Sequence, residues 1–103
     1  MSEARIEALG EGHFKVTGPL SFETARPLLI QSTAEFGAWP HLDIDLSGVT
    51  QSDSAGLALL VEWMRQARAR QQKIHFQSIP SQLLALAQIS DLDELLLANG
   101  EAH

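Results

Sequence analysis

The apolar residues of this chain follow two periods, a two-residue period in short segments and a helical period in longer ones. Residues 5–9 and 13–17 alternate apolar and polar positions on either side of a glycine-bearing turn at residues 10–12, which predicts a β-hairpin. A Gly-Pro pair at residues 18–19 is expected to end the second strand, because proline has no backbone N–H to donate to a sheet.

The next segment, residues 20–36, has the apolar spacing of a helix but contains Pro27. A proline is tolerated in the first turn of a helix, where its missing N–H would have no intrahelical partner. We therefore expect Thr24 to be the N-cap, residues 20–23 to be an irregular or single-turn lead-in, and Gly37 to end the helix. The residues expected to be available to the core are Leu28, Leu29, Ile30, Ala34 and Phe36.

A third alternating run, residues 42–46, predicts a strand that is followed by a polar loop, residues 47–52, and by a strong helix over about residues 53–71. Asp53 or Ser54 is expected to cap this helix, since a short side-chain oxygen accepts an otherwise unpaired N–H of the first turn. The predicted core face of the helix consists of Leu57, Leu60, Val61, Met64 and Ala67.

The opposite face of this second helix carries less charge than the surface of a helix usually does. It consists of Ala55, Ala58, Leu59, Glu62 and Gln66, with Trp63 on the flank. Small residues together with leucine and tryptophan suit the close docking of another protein, and tryptophan is a common interface anchor. The alternative, which the residues support equally, is that Trp63 packs against a neighbouring helix of the same domain.

The rest of the chain is expected to form one more strand and two more helices. Residues 73–79 alternate as a strand, and Pro80 opens a third helix. Residues 92–98 fit a terminal helix better than an edge strand, and residues 99–103 are expected to be frayed. The order β-β-α-β-α-β-α-α predicts a single α/β domain over residues 1–103, with a mixed β-sheet, an N-terminal hairpin and covering helices.

Composition and charge narrow the classes of function. The chain has 103 residues, 45% of them apolar and 19% charged, which fits a globular domain. It has no cysteine, which excludes disulfides and thiol chemistry. A net charge of −6 argues against binding of nucleic acid and against unaided binding to anionic lipid. No apolar run approaches the roughly 20 residues that span a bilayer, and the N-terminus is not a signal peptide, so we expect a cytoplasmic protein.

The sequence predicts no catalytic, metal or cofactor site. The stretch from Ser52 to Gly56 joins a strand to a helix but lacks the first glycine of a nucleophile elbow. A triad would need an acid and a histidine further on, and Asp91 with the terminal His103 meets that order only formally. The four histidines are scattered along the chain without a close metal-binding spacing.

The two ends of the second helix carry different chemistry. The basic residues near its C-terminal end are Arg65, Arg68, Arg70 and Lys73. They form either a functional basic patch or, in the interpretation we favour, a group of cations that complements the helix dipole. At the other end, a hydroxyl at Ser54 lies where an added phosphate is well tolerated, although the residues alone favour a capping role for Ser54 or its neighbour.

The central stretch IDLSGVTQSDSAGLALL, residues 44–60, resembles the characteristic motif of STAS domains, the fold of anti-sigma-factor antagonists. In that family a strand leads to a D-[ST]-[AS]-G loop that opens a helix. The residues at those four positions are Asp53, Ser54, Ala55 and Gly56. Three further stretches make the chain similar above all to the MlaB-like STAS subunits of bacterial phospholipid ABC transporters: FETARPLL from Phe22, GLALLVEWMRQAR from Gly56 and PSQLLALA from Pro80.

The resemblance implies a function and a set of site residues. MlaB-like subunits bind and support the MlaF-like ATPase of the transporter, use no cofactor, and contact the membrane only through the transporter at the cytoplasmic face of the inner membrane. Ser54 matches the family's phospho-acceptor position and would be regulatory. The residues expected to contact the ATPase are Thr50, Ser52, Ser54, Ala55, Ala58, Leu59, Glu62 and Trp63. The alternative implied by the same family is an anti-sigma-factor antagonist that is switched by phosphorylation of Ser54.

Overall fold

The computed structural model describes residues 3–102, which form five strands and four helices in one domain. The strands are β1 (Arg5–Gly10), β2 (His13–Leu20), β3 (His41–Ser52), β4 (Lys73–Ile79) and β5 (Gly100–Ala102). The helices are α1 (Phe22–Phe36), α2 (Ser54–Ala69), α3 (Ser81–Ile89) and α4 (Asp93–Ala98). No helix within these described residues is both long enough and apolar enough to cross a membrane.

The sheet is mixed, as the sequence predicted. Its strands lie in the order β1-β2-β3-β4-β5. Strands β1 and β2 form the predicted antiparallel hairpin, and the remaining neighbours are parallel. The hairpin turn needs its glycines, because Gly10 and Gly12 have φ angles of +99° and +81° and a Cβ at Gly12 would lie 2.2 Å from the His41 carbonyl oxygen.

The two faces of the sheet differ in what covers them. On one face, strand residues such as Phe14, Ile44 and Phe76 are buried in a core that also contains apolar residues from all four helices. On the other face, Asp43 and Gln77 remain partly exposed. The helices therefore cover one face of the sheet and leave the other face polar and open, in agreement with the alternating patterns of the strands.

Helix α1 begins earlier than the sequence suggested. Its N-cap is Ser21, not Thr24, and Pro27 lies inside the helix rather than in its first turn. Thr24 Oγ1 instead accepts a hydrogen bond from the Ser21 N–H (2.9 Å) and donates one to the Pro19 carbonyl (2.7 Å), which fixes the entry of the chain into the helix. Ile30, which the sequence analysis assigned to the core, is 65% exposed on this helix.

Strands β2 and β3 are longer than predicted. The Gly-Pro pair at residues 18–19 does not end β2, and residues 47–52 are strand rather than loop. The two extensions pair with each other, with Gly18 opposite Val49 and Leu20 opposite Ser52. Register irregularities on either side of Gly18 accommodate residues that are poor strand formers.

The C-terminal end is ordered as strand up to residue 102, contrary to the expectation that it is frayed. Residues 92–98 contain the predicted helix, and β5 then pairs with β4 through Gly100 opposite Phe76. A Cβ at Gly100 would lie 2.6 Å from the Phe76 carbonyl oxygen, so the glycine permits this close approach. His103, the histidine of the formal triad, lies outside the described residues.

Candidate functional site

The junction of β3 and α2 is organised by the carboxylate of Asp53, which the structure identifies as the cap of α2. Its Oδ1 accepts hydrogen bonds from the N–H groups of Ala55 (2.8 Å) and Gly56 (3.3 Å). Its Oδ2 accepts a third from the N–H of Phe22, the first residue of α1 (3.3 Å). One side chain therefore holds the N-terminal ends of two helices together.

Ser54 is the first residue of α2 and is exposed. Among the described residues, no group forms a hydrogen bond with its hydroxyl, because Asp53 already accepts from the first-turn N–H groups. The Ser54 hydroxyl is therefore accessible at the positive end of a helix of 16 residues. This position suits the regulatory role that the family resemblance implies for Ser54.

Gly56 allows α2 to begin directly against the end of β2. A Cβ at Gly56 would lie 2.7 Å from the carbonyl oxygen and 2.8 Å from the Cβ of Leu20. The N–H of Asp53 also donates to the Leu20 carbonyl (3.1 Å). The Asp-Ser-Ala-Gly motif thus has a structural role at its first and last positions and leaves its second position exposed.

The sequence predicted that Thr50 and Ser52 lie in one polar loop, but both are residues of strand β3. Ser52 is the last residue of β3 and is only 7% exposed, and its N–H donates to Gln82 Oε1 on α3 (2.9 Å). The prediction that Ser52 contacts a partner at the surface is therefore wrong, because pairing of β3 with β2 buries this residue. Thr50 is exposed, on the extension of β3.

A shallow apolar groove runs between α1 and α2 beside Ser54. It is lined by Phe22, Ala25, Arg26, Leu29, Ala55, Ala58, Leu59 and Glu62. Four of the predicted partner-binding residues therefore converge there, together with Phe22, whose side chain is 84% exposed. Sequence reasoning missed Phe22 because it placed residues 20–23 before the helix. A large apolar residue next to a Ser N-cap was the available signal.

Leu59 and Trp63 are not part of an exposed outer face. The prediction of an exposed docking face that contains them is therefore wrong. Leu59 is 3% exposed and forms the floor of the groove, and Trp63 is 1% exposed. The Trp63 Nε1–H donates to the buried Ser32 Oγ on α1 (2.7 Å), and its ring lies 5.3 Å from that of Phe36. The alternative of packing against a neighbouring helix is correct, because α1 covers this flank of α2.

Two charged residues line the groove, Arg26 and Glu62, and Glu62 forms a local ion pair. Arg65 donates two hydrogen bonds to the Glu62 carboxylate (2.9 and 2.6 Å). These hydrogen bonds lower the pKa of Glu62 and raise the pKa of Arg65. Glu62 is therefore ionised and paired at neutral pH, and the floor of the groove remains apolar.

The open face of the sheet gathers two of the histidines that are scattered in the sequence. His13 and His75 lie on either side of Asp43, with Nδ1–carboxylate distances of 3.5 and 3.8 Å, and the Gln77 amide donates to the same carboxylate at 2.7 and 2.8 Å. Parallel strand neighbours bring these residues together, which spacing along the chain does not reveal. Within residues 3–102, no group of three or more histidine, cysteine or acidic residues is placed to hold a metal ion.

The fold and this motif define a class of small binding and regulatory domains. The family model described as "Mlab, STAS domain" matches residues 5–98, and the chain belongs to that family. A solved structure of the anti-sigma factor antagonist SpoIIAA in its unphosphorylated form has the same fold, with a TM-score of 0.60, 20% sequence identity, and coverage of 74% of this chain and 73% of that one. No curated protein matches the sequence.

Proposed function

We propose that this protein is a non-catalytic STAS subunit that binds and supports the ATPase of a phospholipid ABC transporter that maintains outer-membrane lipid asymmetry. The observation that carries the proposal is the match of the MlaB family model over residues 5–98. In this function the protein acts in the cytoplasm and reaches the inner membrane only through the transporter. The negative net charge of the chain is consistent with such indirect contact.

The groove between α1 and α2 is the proposed docking surface for the ATPase. Phe22 offers an exposed aromatic anchor, which is the kind of side chain that dominates binding energy at interfaces. Ala55 and Ala58 are small and allow a partner to approach the helix closely. The carboxylate of Asp53 fixes the two helices that form the groove, so that this surface is preorganised before the partner binds.

The test is co-expression with the ATPase of the same transporter, followed by size-exclusion chromatography. Co-elution is expected, and Phe22→Glu should abolish it because the variant loses the aromatic anchor and places a carboxylate that must be desolvated in the interface. Ile30→Glu is the matched control, since Ile30 is also an exposed apolar residue of α1 but does not line the groove. Separate elution of the wild-type proteins at both low and moderate salt would contradict the proposal.

An anti-sigma-factor antagonist is the second candidate function. It is favoured by the fold shared with SpoIIAA and by the accessible hydroxyl of Ser54 at a helix N-terminus. In that case a serine kinase, rather than a transporter ATPase, should form the complex and should phosphorylate Ser54. Mass spectrometry after incubation with candidate kinases, with Ser54→Ala as the control, distinguishes the two functions.

A further inference from the structure

A second surface lies at the other end of α2 and shares no wall with the groove beside Ser54. It is an open cavity of about 700 Å³ between the C-terminal half of α2, the start of β4, and α4. Its apolar wall consists of Val61, Met64, Ala67, Ile74 and Leu95. This volume lies within the range of about 300–1,000 Å³ that is usual for small-molecule pockets, so it can also receive a few side chains of a larger partner.

The rim of this cavity is basic in a chain that is acidic overall. Arg65, Arg68 and Lys73 line it, and no aspartate or glutamate of residues 3–102 does, although the chain has 13 acidic residues against 7 basic ones. Arg65 is paired with Glu62 on the same helix. Within residues 3–102, no carboxylate lies within ion-pair distance of Arg68 or Lys73. Two cations beside an apolar wall thus have no acidic partner in the described part of the domain.

The helix dipole explains only part of this arrangement. Arg68 lies in the last turn of α2, where a cation complements the dipole. Lys73 is the first residue of β4 and lies beyond the helix. The effect of a helix dipole falls off within the last turn, so the dipole does not explain the position of Lys73. Arg70 does not line the cavity, because its guanidinium donates to the Thr33 carbonyl of α1 (3.2 Å). Three of the four residues of the basic cluster therefore line the cavity, and the fourth, Arg70, is bound to α1.

We propose that this cavity docks an acidic segment of a partner protein, whose apolar side chains pack on the wall and whose carboxylates lie beside Arg68 and Lys73. The open side of the cavity favours a protein segment, because the rest of the partner then covers the surface that a small amphiphile would leave in water. Opposite charges also favour encounter and fix the register of the segment. The proposal is independent of ATPase docking through the groove.

Three synthetic peptides test the proposal with the full chain. Each has leucines at helical spacing, and the other positions are glutamate in the first, glutamine in the second and lysine in the third. Fluorescence anisotropy should show that the glutamate peptide binds at least about ten-fold more tightly than the glutamine peptide. When the glutamate peptide is added, the chemical shifts of the protein's backbone amides should change at the cavity wall, including Val61, Ala67 and Ile74.

Charge reversal provides the decisive variant. The double variant Arg68→Glu with Lys73→Glu should invert the preference, so that the lysine peptide binds more tightly than the glutamate peptide. The control is Arg5→Glu with Lys15→Glu, which changes the net charge equally on the hairpin and should leave the preference unchanged. Leu95→Gln, at a half-exposed wall position, should weaken binding of every peptide, and thermal melts check that each variant is folded.

Four results would overturn the proposal. The first is equal binding of the glutamate and glutamine peptides, and the second is a set of shift changes confined to the groove beside Ser54. The third is perturbation of the cavity wall by decanoate but by no peptide, which would make the cavity a site for a small amphiphile. The fourth is a concentration-dependent doubling of mass that the Arg68→Glu, Lys73→Glu variant removes, which would show that a second copy of the chain occupies the cavity.

Discussion

The two ends of α2 show how one helix presents two different surfaces. At the N-terminal end, Asp53 satisfies the first-turn N–H groups and Gly56 lets the helix pack against the backbone of β2. At the C-terminal end, Arg68 and Lys73 surround an open apolar cavity without acidic partners in the described part of the chain. The first end is held by close contacts that tolerate little change, whereas the second has side chains that are available to a partner.

The largest effect is expected between the two ends, where α2 packs on α1. Trp63→Ala should lower the free energy of unfolding by about 3–5 kcal/mol, because it opens a cavity and leaves the buried Ser32 hydroxyl without its donor. Chemical denaturation measures this change. The control is Trp39→Ala at the other, half-exposed tryptophan, and a cost for Trp63→Ala no greater than that of the control would refute this account of the helix pair.

The next effect separates the packed end of α2 from an ordinary helix end. Gly56→Ala should destabilise the domain by about 1–3 kcal/mol, since the added methyl meets the backbone of Leu20, which cannot move cheaply. Gly37→Ala, after α1, is the matched control, because a Cβ there would meet only ordinary contacts of 3.4 Å or more. Equal melting temperatures for the two variants would show that α2 does not need this close approach.

A smaller effect distinguishes the cap from the exposed serine. Asp53→Ala should cost about 0.5–2 kcal/mol through the loss of the α2 cap and of the contact with the first residue of α1. Ser54→Ala should change stability by no more than about 0.5 kcal/mol, because its hydroxyl is exposed. Thermal melts of the two variants make the comparison, and a larger loss for Ser54→Ala would reassign the cap to Ser54.

The smallest effect concerns the ion pair that joins the two surfaces, in which Glu62 lines the groove and Arg65 lines the cavity. Arg65 lowers the pKa of Glu62, so the pair contributes at neutral pH and its contribution is lost as the pH falls through the folded-state pKa of Glu62. In Arg65→Gln, the pKa of Glu62 should rise toward the ordinary value of a glutamate. An NMR titration of the Glu62 carboxyl carbon measures it, and an unchanged titration would show that the pair does not form in solution.

Local sequence patterns predicted the elements of this domain better than their packing. The hairpin, the start of α2 near Asp53, and α4 follow from alternation, capping and helical spacing, which are local properties. The lengths of β2 and β3 and the existence of β5 depend on pairing between distant segments, and no local rule specifies it. The strand register, and the need for glycine where two backbones approach closely, depend on which segments are neighbours in the fold.

The candidate site shows the same limit. The motif from Asp53 to Gly56 was visible in the sequence, but which flank of α2 faces solvent depends on where α1 lies. Helical spacing alone could not decide whether Trp63 was an interface residue or a core residue, and packing against Phe36 and Ser32 decides it. Phe22 was missed for the related reason that the start of α1 had been placed too late.

The central claim is that the surface beside Ser54 docks the transporter ATPase, and binding of Ser54 variants to that ATPase tests it most directly. Ser54→Ala should bind like the wild type, because the position stays neutral. Ser54→Glu should keep the fold, since a carboxylate suits a helix N-terminus, but should bind at least about ten-fold more weakly because its charge is desolvated on docking. Calorimetric titration of folded variants measures both, and wild-type affinity for Ser54→Glu would contradict the claim.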